Sequence, residues 1–127
     1  MAHIQCITKG KLISVFGCAG ERDPRKRPKM GKISTQIADL SVFTAEDPRS
    51  EDIFAILKSM ESDSLLGKFV SIPDRGEAIA FALASACKGD MVGVFGKGHE
   101  KSMNLDGIHE IPWSDHKIVR KYLKEER

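Results

Sequence analysis

The stretch LISVFGCAGERD, residues 12–23, predicts a buried strand that runs out into a glycine-marked loop. Two further stretches repeat this pattern: LSVFTAEDPRSE at residues 40–51 and MVGVFGKGHE at residues 91–100. Each begins with apolar residues and then turns to Gly, Pro and charged residues. In an open α/β sheet the carboxyl ends of the strands form the edge that binds ligands. We therefore expect these loops to converge on a site for a small zwitterionic or anionic ligand.

Helical patterns separate the strands and predict the fold class. The other expected elements are a loop over 17–30, a helix over 30–40, a helix opening at 50–52, a strand over 68–72, a helix over 75–86, a hairpin over 104–108 and a last helix over 114–124. Strands that alternate with helices predict an α/β fold with a mainly parallel sheet and helices on both faces.

Composition narrows the class of protein. A chain of 127 residues, 41% hydrophobic and 30% charged, predicts one ordinary globular domain, and its net charge of +2 gives no reason to expect nucleic acid. Cys6, Cys18 and Cys87 form no C-x-x-C pair, so we expect three free thiols. No apolar run is long enough to span a bilayer, and residues 1–10 do not resemble a signal peptide. We expect a cytoplasmic protein with no membrane partner.

Two of the loops carry residues suited to an amino acid. Arg49 offers a planar fork for a carboxylate, and Glu46 or Asp47 could accept hydrogen bonds from an ammonium group. In the segment GKGHE, residues 96–100, glycines let backbone groups approach a ligand closely. Read alone, each segment is equally typical of an ordinary turn or helix start.

A third segment contains a cluster of basic residues that is open to several interpretations. Arg22, Arg25, Lys26, Arg27 and Lys29 could bind phosphate, nucleic acid or nothing. The cluster contains no aromatic residue, so base stacking is not supported. The chain contains neither a Walker A motif nor a paired-histidine metal motif, and we expect no metal ligands and no catalytic residue in it.

Taken in order and spacing, these segments resemble the C-terminal domain of the Mur ligases. The segments that carry the resemblance are VFGCAGERD at 15–23, KRP at 26–28, TAEDPRSE at 44–51, DR at 74–75 and GKGHE at 96–100. Within the family they are most similar to the MurE type, which adds the third residue of the peptidoglycan stem peptide. The resemblance covers about residues 11–123. Residues 1–10 are then a lead-in, and residues 124–127 are expected to fray.

The resemblance implies a Rossmann-like domain of a peptidoglycan-precursor ligase. The family joins an amino acid to UDP-N-acetylmuramoyl-L-alanyl-D-glutamate through an acyl phosphate, using ATP and Mg²⁺ held mainly by a central domain. It thereby supports cell-wall biogenesis, cell shape and division. We expect this chain to lack the first strand and helix of the family domain, and to be inactive without the ATPase domain, which a separate chain could carry.

The resemblance also implies the substrate-binding residues. Arg22 matches an arginine that holds a carboxylate of the incoming amino acid, and Arg49 matches the arginine of D-N-P-R, the signature of enzymes that add meso-diaminopimelate. Gly96 and Glu100 match the groups that receive the distal ammonium and its neighbour. Glu46 and Asp47 replace the usual Asp and Asn, and Ala19 replaces a glycine.

Two other functions remain open at the level of sequence. One is a stand-alone, non-catalytic module that binds or senses an amino acid. The other is a basic nucleic-acid-binding domain that uses residues 22–29.

Overall fold

The fold is given by a computed structural model that describes residues 10–20, 23–97 and 101–125. The elements follow one another as β1 (Leu12–Phe16), α1 (Lys26–Ile37), β2 (Leu40–Phe43), α2 (Ile53–Glu61), β3 (Phe69–Ser71), α3 (Arg75–Ser85), β4 (Met91–Val94), β5 (Ser102–Asn104), β6 (Glu110–Pro112) and α4 (Asp115–Glu125). This order of strands and helices agrees with the order expected from the sequence.

A parallel sheet of four strands forms the centre, in the order β3-β2-β1-β4. Strand β1 lies between its two partners, with Val15 in register with Val42 on one side and Val94 on the other. Strands β5 and β6 form a separate antiparallel pair. The predicted α/β fold with a mainly parallel sheet is confirmed, and the topology places the carboxyl ends of β1, β2 and β4 side by side.

Alternation of side chains along the strands gives the sheet two apolar faces. Ile13, Val15 and Val42 pack with α3, whereas Phe16 and Phe43 pack with α2. The rings of Phe16 and Phe43 meet edge to face with centroids 5.6 Å apart. Both clusters are buried, which confirms the expectation of helices on both faces.

The helix starts depend on short polar side chains. Asp52 accepts a hydrogen bond from the Phe54 amide at 3.0 Å, and Asp74 accepts one from the Glu77 amide at 3.0 Å. The Ser114 hydroxyl accepts from the Lys117 amide at 3.2 Å. These contacts satisfy amides that have no partner within the first helical turn, and they confirm the expected N-termini of the last three helices.

The expected loop over 17–30 is wrong for its last residues, because α1 begins at Lys26. Pro28 lies in the first turn of this helix, where a backbone N–H has no helical acceptor and its absence costs little. Ile33 and Ile37, whose spacing of four residues puts them on one side of α1, do not enter the core. These side chains are 54% and 70% exposed, and they line a groove beside β1 instead.

The expectation of three free thiols is wrong at Cys87, which is disulfide-bonded, whereas Cys18 is a buried free thiol. Spacing along the chain could not reveal the bond, because distance in space decides which cysteines join. Within the part of the chain that the structure describes, no helix is both long and apolar enough to cross a bilayer.

One buried arginine ties the sheet to the last helix. The Arg75 guanidinium donates to both Asp115 carboxylate oxygens, at 2.8 and 2.7 Å. It also donates to the carbonyl of Ala45, just after β2, at 2.8 Å and to that of Phe95, just after β4, at 3.0 Å. Trp113 donates its indole N–H to Asp115 at 2.6 Å. Arg75 therefore fixes the ends of two strands relative to α4.

We expect Arg75→Met to lower the free energy of unfolding by about 3–5 kcal/mol, because it leaves the Asp115 carboxylate buried without its cation. Chemical denaturation followed by circular dichroism measures the change. The matched control is Arg120→Met, which removes an exposed arginine of α4 and is expected to change stability by less than about 0.5 kcal/mol. Equal stability of the two variants would contradict the role given to Arg75.

Candidate functional site

Three loops meet at the carboxyl end of the sheet, as the sequence predicted. Loop 1 (residues 17–25) follows β1, loop 2 (residues 44–52) follows β2, and loop 3 (residues 95–101) follows β4. Loop 2 begins with the Thr44 amide donating to the Phe16 carbonyl at 3.0 Å, and loop 3 begins with the Phe95 amide donating to the Val15 carbonyl at 2.8 Å. The parallel ladder thus continues into the loops and sets them beside one another.

Loops 1 and 2 pack backbone against backbone, and glycines make this possible. A Cβ atom at Gly17 would collide with the Thr44 carbonyl, and one at Gly20 would collide with the Pro48 carbonyl. The Gly20 amide donates to the Asp47 carbonyl at 2.9 Å. Ala19 lies between these contacts with an ordinary negative φ, so the alanine found there is compatible with the loop.

The Asp47 carboxylate is bound within the protein. Its Oδ1 atom accepts from the Lys97 ammonium at 2.5 Å and from the Asn104 amide at 2.8 Å. Burial raises the pKa of Asp47, but the hydrogen bonds from Lys97 and Asn104 outweigh burial and hold this pKa below its ordinary value. Asp47 therefore acts as a link between loops 2 and 3, and its Oδ1 is already engaged.

Arg49 joins loop 2 to loop 1 and to β5. Its guanidinium donates from Nη1 to the Gly20 carbonyl at 2.8 Å, and its amide donates to the Asn104 carbonyl at 3.1 Å. The backbone is left-handed at Arg49 and Asp47, with φ of 56° and 39°. This conformation is costly for residues with a side chain and persists where surrounding contacts hold it. Half-buried Arg49 is thus held at the junction of the loops.

Glu46 extends from loop 2 toward loop 3. Gly96 has a φ of 103°, and a Cβ atom there would collide with the Glu46 carboxylate. Both residues line a cavity of about 420 Å³, whose other lining residues are mostly apolar and come mainly from β1 and α1. Glu46 also lines a second cavity of about 310 Å³ together with Lys26 and Arg27. A carboxylate and a bare glycine backbone therefore face the space where the loops meet.

Four of the six expected substrate-binding residues lie in the described structure, and it brings them together. They are Glu46, Asp47, Arg49 and Gly96. Arg22 and Glu100 lie outside the described residues.

Comparisons with known proteins agree with this geometry. The family model described as "Mur ligase, glutamate ligase domain" matches residues 1–98. The chain belongs to this family. A UDP-N-acetylmuramoyl-L-alanyl-D-glutamate–2,6-diaminopimelate ligase from Bacillus velezensis is 52% identical over 119 residues, which cover 94% of this chain and 24% of the relative. The corresponding ligase from Geobacillus kaustophilus is 41% identical over 124 residues, covering 96% of this chain and 25% of the relative.

A solved structure shows the same fold. The structure of a UDP-N-acetylmuramoyl-L-alanyl-D-glutamate–2,6-diaminopimelate ligase superimposes with a TM-score of 0.85 at 34% identity, covering 91% of this chain and 24% of that one. This Mur ligase domain therefore has the Rossmann-like fold that the resemblance implied. It spans about a quarter of the length of the relatives it matches.

The basic cluster of this Mur ligase domain is partly neutralised by its own carboxylates. Arg27 is 4% exposed and makes a two-point contact with Glu51, at 2.6 and 2.9 Å. Arg25 makes a similar contact with Asp23 on the surface. Of the four basic residues of the cluster that the structure describes, two are thus paired with carboxylates, so the charge available for a polyanion is smaller than the sequence suggested.

Two contributors to the site were not identified from sequence. No role was predicted for Lys97 within the segment GKGHE, yet it is 2% exposed and holds loop 2. Asn104 acts through its backbone, which bonds both Asp47 and Arg49, so its side-chain type carried no signal. The usable signal for Lys97 was its place in a glycine-marked loop shortly after the apolar run of β4, where a lysine that becomes buried needs a nearby anion.

We expect Gly20→Ala to lower the free energy of unfolding by about 1–3 kcal/mol, because the added methyl group has no space beside Pro48. The neighbouring change Ala19→Gly is the matched control and is expected to cost less than about 1 kcal/mol. Thermal and chemical denaturation measure both. A Gly20→Ala variant as stable as the parent would show that loops 1 and 2 are not in close contact.

The reactivity of the Cys18 thiol tests whether loop 1 stays closed in the folded chain. Burial raises the pKa of Cys18 to about 11; the nearby Arg27 charge lowers it by a smaller amount, and the Glu46 charge raises it slightly further. Because the thiolate is the reactive form, we expect iodoacetamide at pH 8 to label Cys18 about a hundredfold more slowly in the folded chain than in denaturant. Site-resolved mass spectrometry gives the rates, and equal rates would mean that loop 1 opens readily.

Proposed function

We propose that this chain is the amino-acid-binding domain of an ATP-dependent ligase that adds meso-diaminopimelate to UDP-N-acetylmuramoyl-L-alanyl-D-glutamate. The observation that carries the proposal is the position of Arg49. Its guanidinium is bonded to loop 1 and its amide to β5, in a chain whose relatives are named as 2,6-diaminopimelate ligases. A guanidinium in that position is suited to a carboxylate at the far end of the amino acid.

Complementary charge supports the choice of ligand. Meso-diaminopimelate carries two carboxylates and two ammonium groups, so its site needs cations and anions at fixed separations. We assign the carboxylates to Arg22 and Arg49. The ammonium groups are assigned to Glu46, the Gly96 carbonyl and Glu100. Asp47 was also expected to touch substrate; because its Oδ1 is already bonded to Lys97 and Asn104, its contribution is the shape of loop 2.

The remaining chemistry is assigned to other parts of the ligase. The described residues of this domain contain no phosphate-binding loop and no group of three His, Cys, Asp or Glu that could hold a metal ion. We propose that the nucleotide, the metal and the UDP-linked dipeptide are held mainly outside this domain. We further propose that ligation occurs in the cytoplasm and requires those parts, on the same or a separate chain.

We expect Arg49→Ala to weaken binding of meso-diaminopimelate at least tenfold, because a hydrogen bond to a charged group contributes about 1.5–3 kcal/mol. L-lysine lacks the distal carboxylate, so its binding should change much less. Isothermal titration calorimetry with both amino acids measures the difference.

The matched control for this experiment is Arg25→Ala, which removes an exposed arginine of loop 1 that is paired with Asp23. It is expected to leave the preference for meso-diaminopimelate over lysine intact. The proposal fails if the parent chain binds lysine as tightly as meso-diaminopimelate, or if Arg49→Ala leaves that preference unchanged.

A further inference from the structure

We propose that Lys97 is a positioning residue that fixes loop 2 and cancels the charge of Asp47, so that Arg49 is presented to a dicarboxylic amino acid. The inference rests on the proposed function and adds a residue that determines specificity without touching the ligand. Its basis is the contact of the Lys97 ammonium with Asp47 Oδ1 at 2.5 Å, between side chains that are 1% and 14% exposed.

The negative charge of loop 2 needs a compensating cation, which Lys97 supplies. Glu46 and Asp47 bring two carboxylates directly before Pro48 and Arg49. Where the D-N-P-R signature has a neutral asparagine, this chain has Asp47, which adds a negative charge. A dicarboxylic ligand would be repelled by an uncompensated Asp47, and the carboxylate would attract the nearby Arg49 guanidinium away from the ligand. Lys97 prevents both effects by pairing with Asp47 at a largely buried position.

The same contact determines the shape of the loop. Asp47 Oδ1 accepts from Lys97 and from the Asn104 amide, and the Asn104 carbonyl accepts from the Arg49 amide. These bonds form a closed connection from loop 3 through β5 to loop 2. They hold the left-handed backbone at Asp47 and Arg49, which is unfavourable by itself. Lys97 therefore acts on the ligand through Asp47 and Arg49.

A double-mutant cycle tests the charge argument. The variants are Lys97→Met, Asp47→Asn and the double variant, and calorimetry gives their affinities for meso-diaminopimelate and L-lysine. We expect Lys97→Met to weaken binding of meso-diaminopimelate at least tenfold and that of lysine much less, because only the former has a second carboxylate. The double variant should bind meso-diaminopimelate at least fivefold more tightly than Lys97→Met, since the uncompensated charge is gone.

The ratio of the two affinities separates this role from a purely structural one. If Lys97 only supported the fold, Lys97→Met would weaken both amino acids equally and Asp47→Asn would give no rescue; that result overturns the inference. The matched control is Lys88→Met, an exposed lysine in the turn before β4, which should alter neither affinity.

A measurement without ligand keeps this inference separate from the proposed function. If the parent chain binds neither amino acid, the proposed ligand is wrong for this chain, and hydrogen exchange then decides the role of Lys97. Lys97→Met should raise the exchange rates of the Asn104 and Arg49 amides at least tenfold relative to the parent, while the β1 amide of Val15 is unchanged. Unchanged rates at Asn104 and Arg49 would overturn the inference.

Discussion

The buried guanidinium of Arg75 is the contact on which the ligand-side edge of this domain depends. It donates hydrogen bonds to both carboxylate oxygens of Asp115 and to the carbonyls of Ala45 and Phe95, which follow β2 and β4. A guanidinium without partners is strongly disfavoured away from water, so these acceptors must be in place together. Loops 2 and 3 are therefore held at fixed positions on either side of β1, and α4 is held with them.

On this frame, loops 1, 2 and 3 are shaped by contacts with one another and with β5. Loop 1 approaches loop 2 closely because Gly17 and Gly20 have no Cβ atoms. Loop 2 keeps its left-handed residues because Lys97 and Asn104 bond Asp47. A site that is arranged before its ligand arrives loses less conformational freedom on binding. For a ligand with four charged groups, such an arrangement also determines which charged group of the site contacts each charged group of the ligand.

Much of the fold followed from local patterns, and the errors have identifiable causes. Apolar runs located β1, β2 and β4, and the caps at Asp52, Asp74 and Ser114 located three helices, because both signals arise within a few residues. The start of α1 was placed too late because a charged segment containing Pro28 is typical of a loop. The burial of Arg27 depends on Glu51, 24 positions further along the chain, and the bond at Cys87 depends on distance in space; no local pattern specifies either.

The sequence by itself determined the α/β class, the three loops that follow β1, β2 and β4, and the residue types suited to an amino acid with two charged ends. Periodicity and strand order are sufficient for these, since parallel strands align their carboxyl ends. Only the tertiary structure decided which charged side chains pair with one another inside the protein. Asp47 pairs with Lys97, whereas Arg49 is held where the loops meet. The reason is physical: the partner of a charged side chain is chosen by distance and burial, and residues 50 positions apart in sequence meet only in the folded chain.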